Sequence, residues 1–385
     1  MRSPIDPAIA TAAADIAARS ERELEALVAV SSPSGDVRGA EEAIAVCTAL
    51  LPPQAETERV PCSTPGGAPD LIARISGTGA KKLLLLGHID TVVGHEHHAP
   101  LRRDGDRLYG PGTADMKGGD VLALGVARAL AGQPELFARL AVLIVTDEEW
   151  RTAEFAHVSR FADFDACLCF EAGERTGEGE EGVVVRRKAA GTLRVTATGR
   201  ASHSGSAPDH GRNALLALSQ TAVKLAARHD PNGPERLSIV PTVIRSGLAF
   251  NVVPAAGELF FDMRADRLAA FDPVVEAVDR ELDGVAIDRT VERRWPGMDS
   301  REATVLLLTG AGQRLGRPIA GVGRGGASDA SHFAAAIPLT VDGLGPRGGG
   351  AHTPEEFVLT ASLRERAEVA LALASEVLCS NSPRG

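Results

Sequence analysis

The chain has 385 residues, too many for one ordinary core, so two domains are expected, and 44% hydrophobic with 24% charged residues is the balance of a soluble globular protein. A net charge of −10 argues against a nucleic-acid partner, which would need a basic face to release counterions from phosphates, and makes a small substrate the default. No run of about 18 apolar residues is present, and the five cysteines show neither a disulfide framework nor zinc-finger spacing, so neither a membrane span nor secretion is expected and a cytoplasmic protein with reduced thiols is.

Along the chain, helical periodicity covers about residues 7–30 and 37–51, and apolar runs at 71–76, 83–88, 140–146 and 166–170 predict buried strands. Between the second and third of these runs, "MKGGDVLALGVARALAG" predicts a helix with an apolar stripe. Strands separated by helices imply an α/β fold with a mainly parallel sheet, helices on both faces, and ligands gathered in the strand-end loops. "GERTGEGEEG" at 173–182 predicts a mobile loop. From Gly191 the pattern changes. "TLRVTATG" and "GELFFDMRA" alternate as half-exposed strands, while 212–228 and 268–282 look helical, which predicts a small α+β unit with one open sheet face. After Trp295 and Pro296, a helix over "EATVLLLTGAGQRLG", a strand over "IPLTVDG" and a helix from about 360 return to the first pattern. The expected division is therefore residues 1–189 and 296–385 as one domain and 190–295 as a domain inserted into it.

Ionisable residues sit where the predicted strands end. "LLLLGHIDTV" closes four leucines with His88 and, two residues on, Asp90, which alternation turns to the same side. "GPGTADMKGGD" places Asp115 in a glycine-rich loop before a helix. "VLIVTDEEW" ends a strand in Asp147, Glu148 and Glu149, "CLCFEAGE" ends another in Glu171, and "GGGAHTPEEFV" carries His352. Each has an ordinary structural reading taken singly: a rim histidine, a helix cap, a solvated acidic loop. Together they offer two imidazoles and several carboxylates at one end of one sheet, a set suited to two divalent ions sharing a bridging carboxylate. Mixed nitrogen and oxygen donors favour Zn2+, with Co2+ or Mn2+ able to substitute. His95, His97 and His98 in "GHEHHAP" lack accompanying carboxylate or cysteine spacing and read as a solvated loop.

Residues 83–92, 110–120, 144–150, 169–174, 201–205 and 350–358 resemble, in order, the di-zinc carboxypeptidase and deacylase family that includes glutamate carboxypeptidases, acetylornithine deacetylase and succinyl-diaminopimelate desuccinylase. The resemblance implies two zinc ions, one held by His88, Asp115 and Glu171 and the other by Asp115, Glu149 and His352. Asp90 would orient His88, Glu148 would be the general base, and the Asp115–Met116 peptide would be cis. It also implies an inserted lid and dimerisation domain, hence a homodimer, in which His203 of "RASHSG" stabilises the oxyanion of the partner's site.

Substrate recognition by the resemblance falls to Asn251 and Arg264 in "FNVVPAAGELFFDMRAD", where the planar fork of an arginine suits a substrate carboxylate. Gly325 and Gly326 in "GRGGASDASHF" would line the pocket with backbone N–H groups. The implied activity is hydrolysis of an amide bond to release a C-terminal amino acid from a small peptide or N-acyl amino acid. A deacetylase or desuccinylase of amino-acid metabolism is the alternative. This chain departs from glutamate carboxypeptidases at "RRWP", where Trp295 precedes Pro296, and at Arg151 and Thr152, which replace small residues after the Glu148–Glu149 pair.

Overall fold

The computed structural model describes residues 4–151 and 153–379, so Thr152 lies outside the described residues. Two compact units separate. One gathers the chain up to Arg186 with Asp299–Arg324 and the segment from Ser328 onward; the other comprises Arg187–Met298 with Gly325–Ala327.

The first unit is built on a six-stranded sheet in the order Glu56–Val60, Asp70–Ser76, Phe137–Val145, Lys81–His88, Ala166–Cys169 and Leu339–Val341. Lys81–His88 lies between two parallel neighbours, and Leu83, Leu84, Leu85 and Leu86 are all 0% exposed. A strand covered on both faces has no polar side to present, which is why its sequence is a continuous apolar run. Leu339–Val341 extends the parallel set, whereas Glu56–Val60 and Asp70–Ser76 join antiparallel. "ETERV" carries no strand pattern because all but Val60 are exposed. It is held by its ladder and by surface pairs such as Arg74 with Glu58, 2.6 Å apart.

The helices Pro7–Val28, Val37–Leu50, Lys117–Ala131, Arg301–Leu315 and Thr360–Cys379 belong to the same unit. Asp6 caps the first by accepting from the Ala8 amide, and Asp36 caps the second by accepting from Gly39. The helices Pro7–Val28, Lys117–Ala131 and Thr360–Cys379 pack on one another, and the latter two also pack on the Lys81–His88 strand, burying one continuous apolar core. The segment 173–182 is not a free loop. Glu174–Arg175 pairs antiparallel with the Glu181–Arg187 strand, and Glu181 is buried because Arg347 and Arg366 close on its carboxylate at 2.9 and 3.0 Å.

The second unit has its own core beneath a five-stranded antiparallel sheet, in the order Ser238–Ser246, Ala256–Ala265, Ala189–Thr198, Val285–Trp295 and Glu281–Leu282. Ser238–Ser246 is a strand that the sequence reading did not assign; it carries Pro241 at a register shift on the sheet edge, where a missing N–H costs no ladder bond. The helix expected over 268–282 is shorter, a 3-10 turn at Leu268–Phe271 followed by Asp272–Glu276. The chain then reverses at Asp283 and Gly284, both with positive φ (49° and 74°), so that Leu282 pairs with Val285. Asp-Gly is the favoured sequence for such a tight hairpin.

Candidate metal centre

All six residues expected to ligate or activate belong to the first unit. His88 is the last residue of its strand, and the Ile89 amide still donates to Val145 O at 2.9 Å, so the sheet fixes the imidazole's backbone. Its Nδ1 lies 3.1 Å from the backbone carbonyl of Asp90 and 3.5 Å from that residue's carboxylate. Both the carbonyl and the carboxylate of Asp90 therefore face this ring nitrogen. The Asp90 carboxylate also accepts from the amides of Glu148 and Glu149, each at 3.1 Å, and from Ser34 Oγ at 3.1 Å, so it fixes the acidic turn beside His88.

Asp115 faces both histidines. Its Oδ1 is 3.1 Å from His88 Nε2 and its Oδ2 is 3.1 Å from His352 Nε2. Glu149 Oε1 is 3.1 Å from the same His352 nitrogen, and Glu171 Oε1 is 3.7 Å from His88 Nε2. His88, Asp115 and Glu149 each offer a donor atom, all within 4.8 Å of one another; Glu148, Glu171 and His352 are not part of that group. The Asp115–Met116 peptide is cis, and the helix Lys117–Ala131 begins directly after it.

The electrostatics describe a site short of positive charge. Burial pushes the Glu148 and Glu171 carboxyls well above the usual range, and neighbouring carboxylates add to the effect. Burial also acts to raise Asp115, but its contacts with His352 and His88 outweigh it and hold the carboxyl below its ordinary value. Contacts with Asp115 and Glu149 lift His352 to about 10. Histidines that ligate a metal do so as neutral imidazoles and give up any such proton on binding. Glu149 Oε1 is buried without a properly directed hydrogen bond. Two imidazoles, a doubly facing carboxylate and this buried oxygen fit divalent ions of the zinc type.

Three residues beside the site were not assigned a role from sequence. Arg151, 1% exposed, pairs with Asp147 at 2.8 Å and with Asp329 through both carboxylate oxygens, and the Asp329 charge is felt by Glu148. The third is Glu356. Its Oε1 accepts from the amides of Ala114 (2.7 Å) and Asp115 (2.8 Å), and its Oε2 from Gly112 (2.9 Å). "ASDASHF" and "HTPEEF" contain these acids, whose partners lie far away in the chain, so their roles do not follow from local sequence. His95 is held by Ser31 Oγ at 2.7 Å and Asp36 at 3.2 Å and is exposed.

The remaining candidates lie in the second unit. His203 is exposed, and its Nδ1 accepts from the amides of Gly205 and Ser206, both at 3.1 Å, which leaves the proton on Nε2. Arg264 stands on the Ala256–Ala265 strand with its guanidinium on Asp262, Nε to Oδ2 at 3.0 Å. Asn251 is exposed and accepts from Ser204 N through its backbone carbonyl. An added Cβ would meet nothing within 4 Å at Gly325 and only Arg187 Nη1, at 3.7 Å, at Gly326. Trp295 is 2% exposed and carries the Arg293 guanidinium 4.4 Å above its ring.

Residues 84–376 match Peptidase family M20/M25/M40. The chain is 29% identical over 325 residues to carboxypeptidase G2 of Pseudomonas sp. (strain RS-16), covering 79% of this chain and 76% of that one. It is 31% identical over 319 residues to succinyl-diaminopimelate desuccinylase of Xanthomonas euvesicatoria pv. vesicatoria, covering 75% and 81%. Among solved structures, a tripeptidase from Staphylococcus aureus superposes with a TM-score of 0.76 at 21% identity over 94% of this chain and 99% of that one, a likeness that bears on fold alone.

Proposed function

The chain belongs to peptidase family M20/M25/M40, a family of hydrolases, and from that premise we propose that it cleaves an amide bond to release a C-terminal amino acid from a small peptide or N-acyl amino acid. The observation that carries the reading is Asp115, with one oxygen 3.1 Å from each of two histidines. His88, Asp115 and Glu171 would hold one divalent ion, and Asp115, Glu149 and His352 the other. Such a pair supplies a water of lowered pKa and polarises the scissile carbonyl.

The chain's own residues do the rest. Asp90, through the amides of Glu148 and Glu149, fixes the turn so that Glu149 faces His352 while Glu148 is kept for proton transfer. Burial raises the proton affinity of Glu148, which suits it to take up a proton from the attacking water and return it to the departing nitrogen. His203, with its proton on Nε2, would donate to the oxyanion in the partner subunit of a homodimer, and Arg264 would read the substrate carboxylate.

A second reading, an N-acyl amino acid desuccinylase or deacetylase, is favoured by the 31% identity to a desuccinylase. One screen separates them: zinc-loaded protein against dipeptides and against N-acetyl, N-succinyl and N-aroyl amino acids of varied C-terminal residue. Turnover of peptides or N-aroyl glutamate supports the first reading, and turnover confined to N-succinyl or N-acetyl substrates supports the second. No metal-dependent turnover on any of them would overturn both.

A further inference from the structure

Two of the residues read above as ligands, Asp115 and His352, are 237 positions apart in the chain, yet their side chains meet at 3.1 Å. The short strand Arg107–Tyr109 leads into the loop that ends at Asp115, and it pairs antiparallel with Phe357–Leu359, which follows the loop of His352. Glu356 is the residue immediately before that second strand. Its backbone carbonyl accepts from Gly110 N at 3.0 Å and its own amide donates to Thr353 O at 3.2 Å. Its side chain, on a residue 2% exposed, accepts from three amides of the opposite loop, those of Gly112, Ala114 and Asp115. His352, four residues earlier, has a left-handed backbone (φ 67°), which a non-glycine residue keeps only where its surroundings hold it.

From this we infer that Glu356 is the positioning residue of the metal centre: it touches no ligand side chain, but it fastens the Asp115 loop to the His352 loop so that both residues face one ion. This rests on the two-metal reading given above. A carboxylate is required because three N–H donors converge on it. A glutamine of the same shape has one acceptor oxygen, and its NH2 would confront a backbone N–H donor to donor.

The test is calorimetric titration of zinc into chelator-stripped full-length protein, together with the melting temperature with and without zinc. Glu356→Gln should weaken zinc binding by about 10–100-fold, the usual effect of removing a group that orients ligands. It should also shrink the zinc-dependent rise in melting temperature, since that rise reports binding to the folded state. Glu356→Asp, which keeps the charge but falls short of the amides, should do the same to a lesser degree. Glu355→Gln, at the exposed neighbouring acid, should change neither. If Glu356→Gln is recovered only with metal bound, zinc loss to a chelator is expected to be at least about tenfold faster than in the wild type. A merely structural residue would lower both melting temperatures equally and leave zinc affinity and release unchanged, and that result would overturn the inference. Equal weakening by Glu355→Gln would assign the effect to charge alone and overturn it too. A wild-type chain that takes up no divalent ion would remove the two-metal reading itself.

Discussion

Glu148 and Glu149 are neighbours with the same side chain, and their different surroundings divide the work between them. Glu149 turns to His352 at 3.1 Å, while Glu148 is 6% exposed and its amide is held by Asp90. Glu148→Gln should therefore retain the metal content of the wild type and lose about 10²–10⁴-fold in kcat, the range expected for removing a positioned acid–base group. Loss of an ion from that variant, measured by elemental analysis, would make Glu148 a ligand instead. Arg264 is paired with Asp262, so a substrate carboxylate has to win the guanidinium from it. Arg264→Ala should abolish the preference for a free carboxylate over the corresponding amide. An equal drop in kcat/KM on both substrates would show that the arginine only braces its strand. The five proposed ligands and Glu148 were legible because His88, Glu148, Glu149 and Glu171 close apolar runs, where an ionisable side chain is out of place, and Asp115 and His352 stand in glycine-rich loops. Glu356 and Asp329 were not, since what makes them important is a set of partners more than 170 residues away.

Among the elements, the parallel strands announce themselves by continuous apolar sequence, because both of their faces are covered. Edge strands do not: exposed "ETERV" and proline-containing "SIVPTVIRS" are strands through their neighbours' hydrogen bonds. The glycines after Asp115 show the same limit from the other side. "KGG" is visible in sequence, but its reason is a distance, since a Cβ on Gly119 would sit 1.9 Å from the carbonyl oxygen of Phe170. Phe170 leads directly into Glu171, and Gly119 lies in the first turn of the helix that follows Asp115. Close helix–strand approach is thus what brings Asp115 and Glu171 to one end of the sheet. Gly119→Ala should force the two elements apart, cost about 1–3 kcal/mol in urea denaturation as overpacking does, and weaken zinc binding as well. Gly132→Ala is the matched control. It has φ −74° and its nearest neighbour is Ala129 O at 3.5 Å, so it should be neutral or slightly stabilising. If the two substitutions behaved alike, the close approach would not be what sets the ligand spacing.

For the whole molecule, the open question is what covers the second unit. Its core is complete beneath one face of the sheet, yet Leu216 and Val223 on the helix Ala214–Ala226 are 55% and 74% exposed. Val240 and Ile244 on the edge strand are exposed as well, as are Leu248 and Phe250 in the following turn. An edge strand with free backbone groups beside an apolar helix suits symmetric pairing with a second copy, the commonest way a chain closes such a surface. No described helix is long and apolar enough to cross a membrane, so the exposed apolar side chains are not those of a transmembrane helix. If the pairing also lends His203 to the partner's site, two dead variants should restore each other. A Glu148→Ala subunit still offers a sound His203, and a His203→Ala subunit still offers a sound metal centre. Each mixed dimer then holds one complete site and one doubly defective site. With random exchange about half of the dimers are mixed, so co-expressed or co-refolded chains should recover about a quarter of wild-type activity. If His203 served its own chain, no mixed dimer would contain a complete site, and a verified mixed population would stay inactive. A monomer at assay concentration by light scattering would remove the shared site at once.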